Sequence, residues 1–125
     1  MVRASLVLFG ALVALSAGLA ATAFGQSAST TTLKGTVGPA FTISLKKGGQ
    51  KVKVLRAGSY KFVISDKSSA HNFTLERETG GKFERHLTST AFTGPKSATI
   101  TLKRGKWKYY CSVHESIMHG FFTVR

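Results

Sequence analysis

The chain has 125 residues, enough for one small domain once any leader is set aside. Its 18 lysines and arginines against 5 aspartates and glutamates give a formal net charge of +13. A single cysteine excludes the disulfide framework of most small exported domains, and no phosphate loop or flavin fingerprint is present.

Residues 1–25 read as a secretory signal peptide. Met1-Val2-Arg3 supplies a positive start, an apolar run follows over 4–19, and the small residues Ala21-Thr22-Ala23 offer a cleavage point, with Gly25 as the alternative. The run is nearly long enough to span a membrane, but alanine and glycine dilute it. Cleavage, with no stable membrane insertion afterwards, is the expectation. Residues 26–34 are expected to form a flexible lead-in, and 35–125 a single domain.

Residues 32–37 are a candidate first strand, ended by Gly38-Pro39. Phe41, Ile43 and Leu45 alternate with polar residues at period two, the pattern of a half-buried strand. After the turn at Gly48-Gly49 the alternation resumes with Val52 and Val54 inward. Tyr60, Phe62 and Ile64 share the next inward face, and His71, Phe73 and Leu75 the one after. Residues 76–92 are polar and carry no clear period, so loops with one short strand are expected there. Ala98, Ile100 and Leu102 point inward, then Trp107, Tyr109 and Cys111, and 121–125 is a last strand with Phe122 and Val124 inward. Seven to eight short strands between glycine-bearing turns predict an all-β sandwich.

Lysines alternate with apolar residues in Lys51-Val52-Lys53-Val54 and Lys106-Trp107-Lys108-Tyr109, which places them on the water side of a sheet. Such a surface also steers toward an acidic partner protein or an anionic surface. Nucleic acid is not expected for a secreted chain.

The chemistry concentrates in Tyr110-Cys111-Ser112-Val113-His114-Glu115-Ser116-Ile117-Met118-His119-Gly120, which holds the only cysteine, two of four histidines and one of two methionines. A thiolate, an imidazole and a thioether make a soft donor set that favours copper, whereas magnesium or calcium would want oxygens. In an oxidising compartment a solitary thiol is either a buried core residue or a thiolate held by a metal. His71, in Ala70-His71-Asn72-Phe73, offers the second imidazole.

These two motifs, His71-Asn72-Phe73 and Tyr110-Cys111-Ser112-Val113-His114 with Met118-His119-Gly120, resemble the cupredoxins, the small blue copper proteins of the plastocyanin, pseudoazurin and amicyanin group. The resemblance covers 35–125. It implies a Greek-key β-sandwich and one type 1 copper ion, with His71, Cys111 and His114 as equatorial ligands and Met118 as a long axial one. It further implies that Asn72 ties the two ligand segments together through Ser112. Three residues separate His114 from Met118, against four in plastocyanin-like loops and two in amicyanin-like ones.

The implied function is a monomeric carrier of single electrons between redox proteins, periplasmic or extracellular, and not an enzyme. The alternative is a copper module for storage, delivery or sensing. A thiol enzyme with Cys111 as nucleophile and His114 as base lacks a third group to orient the base. The ring edge of His114 is expected at the surface, rimmed by Ala70, Val113 and Ile117. Tyr110 is read as an exposed strand aromatic or a second electron exit, and Gly120 as the residue that permits a tight loop exit. His119 is expected to be exposed beside the site, with substitution for Met118 as the alternative, and His86 to lie at the surface.

Overall fold

The structure, a computed structural model, describes residues 18, 20–25 and 29–125. The expected signal peptide over 1–17 and at 19, and 26–28 of the expected lead-in, lie outside the described residues.

Ten short strands form in chain order: β1 Thr31–Val37, β2 Ile43–Lys47, β3 Gln50–Lys51, β4 Val54–Leu55, β5 Gly58–Asp66, β6 Thr74–Arg77, β7 Phe83–His86, β8 Gly94–Leu102, β9 Gly105–Tyr110 and β10 His119–Val124. They build two five-stranded sheets, ordered β3-β2-β1-β5-β8 and β4-β10-β9-β6-β7. β1 runs parallel to β5 and β4 parallel to β10, and the other pairs are antiparallel. The fold is therefore the all-β sandwich that the alternation predicts, with more and shorter strands.

Period-two alternation decides what fills it. Leu33, Leu45, Phe62, Ile64 and Leu102 from the first sheet meet Leu75, Trp107, Tyr109, Phe122 and Val124 from the second, all buried. Burying each such side chain contributes about 1.5–3 kcal/mol. Aromatic rings line the interior: Phe73 stacks on Tyr109 with centroids 5.9 Å apart, and Trp107 on Phe122 at 6.2 Å.

Four expectations are corrected. The lead-in expected over 26–34 ends sooner, because Thr31 already pairs in parallel with Tyr60 and Leu33 is fully buried. Val54 is exposed, because the chain crosses from the first sheet (β3 on β2) to the second (β4 on β10) between Lys51 and Val54, which breaks the alternation. Val52 and Leu55 are the buried pair there instead. Residues 76–92 hold more order than expected: β6 and β7 form an antiparallel hairpin, with Arg77 paired to Phe83 across Gly80-Gly81. Phe41 is exposed, because β2 begins only at Ile43 and Phe41 belongs to the loop before it.

Candidate metal centre

One end of the sandwich is closed by three connections: β1 to β2, β5 to β6, and β9 to β10. The β5–β6 connection is pinned by its own polar groups. Ser68 N–H donates to Asp66 Oδ1 at 3.1 Å, Ala70 N–H to Ser68 Oγ at 3.1 Å, and Lys67 N–H to the Val37 carbonyl at 2.9 Å. His71 and Asn72 emerge from it almost wholly buried.

The β9–β10 connection folds back on itself. His114 N–H donates to the Cys111 carbonyl at 3.1 Å, Met118 N–H to the His114 carbonyl at 2.9 Å, and Cys111 N–H to the Met118 carbonyl at 3.0 Å. These bonds close the eight-residue span and bring its two ends together. The Cys111 thiol is fully buried, the His114 ring half-buried.

His71, Cys111 and His114 converge. The two imidazoles face each other through Nδ1 at 3.0 Å, and Cys111 Sγ lies 3.8 Å from each of those nitrogens. A point equidistant from the three atoms lies about 2.1 Å from each, and a first-row metal bonds nitrogen at about 2.0–2.1 Å and sulfur at about 2.3 Å. The triangle therefore fits one ion. Met118 is fully buried immediately before β10, its backbone bonded to both Cys111 and His114.

Asn72 locks the two segments. Its Nδ2 donates to Ser112 Oγ at 2.7 Å and to Thr90 Oγ1 at 3.3 Å. Its Oδ1 accepts from Ser112 N–H at 2.9 Å and from Thr74 Oγ1 at 3.2 Å, so every hydrogen-bonding position of the amide is used. Its backbone N–H donates to Cys111 Sγ at 3.4 Å, a further tie between the two segments.

The other side chains sort themselves plainly. His119 is turned away and exposed, its Nδ1 bonded to the Glu115 carbonyl at 2.7 Å and its ring against Phe121. His86 is exposed and pairs with Thr74. Val113, Ile117 and Ala70 are exposed around the half-buried His114. Tyr110 is not exposed. It is buried, and its hydroxyl donates to Glu84 at 2.6 Å; burial first, and that bond second, push the phenol well above its usual range. The side chain lies along the outer face of its own sheet, reaching past the neighbouring β6 to Glu84 on β7, with Lys108 Nζ 4.6 Å over its ring, so this face is not open to water there.

Gly120 serves differently from the expected loop exit. It lies inside β10 directly opposite Tyr109, and a Cβ there would collide with the Tyr109 ring. Sequence reasoning passed over Thr74, Thr88 and Thr90, which support the His71 segment through hydroxyls, Thr88 Oγ1 accepting from Phe73 N–H at 2.9 Å. It also missed Phe41, whose ring packs against both imidazoles. No local pattern marks them, since each acts across the fold.

No family model matches the sequence, and no curated protein matches it. Solved structures do match. The copper protein rusticyanin aligns with a TM-score of 0.57 and 15% identity over 79% of this chain and 80% of that one. Rusticyanin from Thiobacillus ferrooxidans aligns at 0.51 and 17% identity over 79% of each chain. Auracyanin A, a "blue" copper protein of the green thermophilic photosynthetic bacterium Chloroflexus aurantiacus, aligns at 0.53 and 14% identity over 78% of this chain and all of that one. These neighbours are copper proteins, and the fold of this chain is the cupredoxin β-sandwich that they share.

Proposed function

We propose that the chain is a type 1 copper protein that carries single electrons between redox partners outside the cytoplasm. The observation that carries this reading is the buried triangle of one thiol and two imidazole Nδ1 atoms, sized for one ion. Bound copper supplies the chemistry, a one-electron change between Cu(I) and Cu(II).

The protein's part is to hold the donors. Cys111 is the thiolate ligand, His71 and His114 are the equatorial imidazoles, and Met118 is the weak axial thioether. Both imidazoles bind as neutral groups and the thiol gives up its proton, so uptake of the ion releases protons. No glutamate reaches the triangle among the described residues: Glu76, Glu78 and Glu115 pair with Lys108, and Glu84 bonds Tyr110. A set with sulfur and nitrogen and no carboxylate selects copper over harder ions. Asn72 and Ser112 keep the two ligand segments in register, which limits rearrangement when the charge of the centre changes.

The half-buried His114 edge, among exposed Val113, Ile117 and Ala70, is the contact through which an electron passes to a docked partner. The positive charge, +13 in the full chain with only Arg3 of it in residues 1–25, favours acidic partners and speeds their encounter. A carrier of this kind is monomeric, turns over no substrate and needs no nucleic acid. Residues 1–25 act as its export signal, removed to release a domain free of the membrane.

The test is a titration of the mature protein with Cu(II), followed by voltammetry. One equivalent giving intense visible absorption and a reversible one-electron wave supports the reading. A colourless Cu(II) complex overturns it, and coloured copper without reversible reduction leaves storage or delivery in place of electron transfer.

A further inference from the structure

The β1–β2 loop presents a large apolar side chain at the surface. Phe41 is 57% exposed, yet its ring is not idle. Its centroid lies 5.4 Å from that of His71 at an interplanar angle of 60°, and 5.0 Å from that of His114 at 81°. The two imidazoles lie 4.8 Å apart at 75°. Each of the three rings therefore meets the other two tilted or edge to face, the arrangement favoured by ring quadrupoles.

The loop is built to hold that ring in place. Gly38 N–H donates to the Thr42 carbonyl and Thr42 Oγ1 to the Pro39 carbonyl, both at 2.8 Å, so the turn is closed around Ala40 and Phe41. Ala40 sits at φ 55°, a left-handed conformation that a non-glycine residue seldom adopts. The base of the loop is tied to the His71 segment, because the Val37 carbonyl accepts from Lys67 N–H. Phe41 thus packs against both imidazoles from the first sheet, while Cys111 Sγ lies 3.8 Å from each Nδ1 at the end of β9 in the second.

We propose that Phe41 is a positioning residue of the copper centre: its ring fixes both imidazole planes with Nδ1 inward and shields them from water. The proposal rests on the type 1 copper reading and adds to it a role for a residue outside the ligand loops. An apolar cover disfavours the more highly charged state of the centre. Opening it favours Cu(II) and lowers the reduction potential, and imidazoles freed to rotate release the ion faster.

The test compares the full protein with Phe41→Ala and Phe41→Tyr, the second keeping the ring. Phe41→Ala is expected to speed copper transfer to a chelator about tenfold, the lower end of what supporting partners contribute. It should also lower the potential, a tenfold change in relative Cu(I) and Cu(II) affinity reading as about 59 mV. Phe41→Tyr should stay close to the parent in both. Unchanged potential and release rate in Phe41→Ala overturn the proposal. A parent that takes up no copper sinks the copper reading instead, and the metal-free proteins then decide Phe41. Ring-current shifts of the His71 and His114 proton resonances that vanish in Phe41→Ala support its hold on the imidazoles, and identical resonances overturn it.

Discussion

Asn72 and Ser112, forty positions apart in sequence, are joined by two hydrogen bonds through one amide: Nδ2 to Ser112 Oγ at 2.7 Å, and Ser112 N–H to Oδ1 at 2.9 Å. This clamp makes the segment before β6 and the loop after β9 a single unit. Asn72→Ala removes both bonds and those to Thr74 and Thr90 as well. Leaving those groups unpaired costs about 1–3 kcal/mol, read as a lower urea midpoint for the metal-free protein. Metal affinity should fall about 10–100-fold, the range for groups that orient ligands, measured by competition with a chelator. Ser112→Ala removes only the bond to Oγ and should have the smaller effect on both.

Cys111→Ser replaces the buried sulfur with a hard oxygen. The variant should lose the intense visible absorption with Cu(II) while keeping its fold, checked by absorption and circular dichroism. Met118→Leu keeps the core volume at a fully buried position and should cost under about 1.5 kcal/mol. It should still bind copper through Cys111, His71 and His114, with a changed potential by voltammetry. Loss of copper binding in Met118→Leu would mean that the thioether holds the ion and does not merely tune it.

The sandwich is legible in the chain because alternation is a local rule, whereas the triad is legible through its soft donor types and the resemblance to the cupredoxins, since His71 and Cys111 meet across forty residues. Alternation at period two placed Phe62, Ile64, Trp107 and Tyr109 inward, and a cysteine at the end of a buried strand points into the core. The exceptions arise where a second element decides the environment. Val54 is exposed because its strand changes sheets, and Tyr110 is buried because its ring lies across the neighbouring strands of its own sheet, bonded to Glu84 and under Lys108. Phe41 reads as a core residue by pattern, yet it caps the imidazoles from a turn. Gly120 looks like a loop glycine, while its neighbour across the ladder sets the requirement.

That last contact makes a prediction independent of any metal. Gly120 gives up its side-chain space to the Tyr109 ring, which stacks on Phe73 and Phe122 and is held inside the core. Gly120→Ala must push the ring away, and overpacking of this kind costs about 1–3 kcal/mol. Thermal unfolding should show a lower midpoint for Gly120→Ala. Trimming the ring in Gly120→Ala/Tyr109→Leu should recover part of the loss relative to the sum of the single changes, the mark of two residues in direct contact.

In a chain carrying +13, all four glutamates gather around one lysine and one tyrosine. Lys108 Nζ lies 3.5 Å from Glu78 and 3.9 Å from Glu76, is paired with Glu115, and sits 4.6 Å over the Tyr110 ring. Burial pulls the Lys108 pKa down, but the bond to Glu115 and the charges of Glu115, Glu78 and Glu76 together outweigh it, so the pKa is raised. A raised folded pKa means stability that is fully present below the unfolded lysine value of about 10.4 and lost as pH rises through the folded one. Glu76 is also raised, by burial first and by the Glu78 charge next. Its contribution is present below the unfolded glutamate value of about 4.3 and declines as pH rises through the folded one. Lys108→Gln strips the cluster of its cation and should cost about 1–2 kcal/mol at pH 7, between exposed and buried ion pairs. With the cation gone the carboxylates repel unopposed, so the loss should shrink toward pH 4 as they protonate. It should also shrink as pH rises past the unfolded lysine value of about 10.4, and vanish once the folded parent loses the Lys108 charge at its raised pKa. Urea unfolding of parent and variant across that range checks both signs, and a loss that is flat with pH would show that Lys108 matters for packing alone.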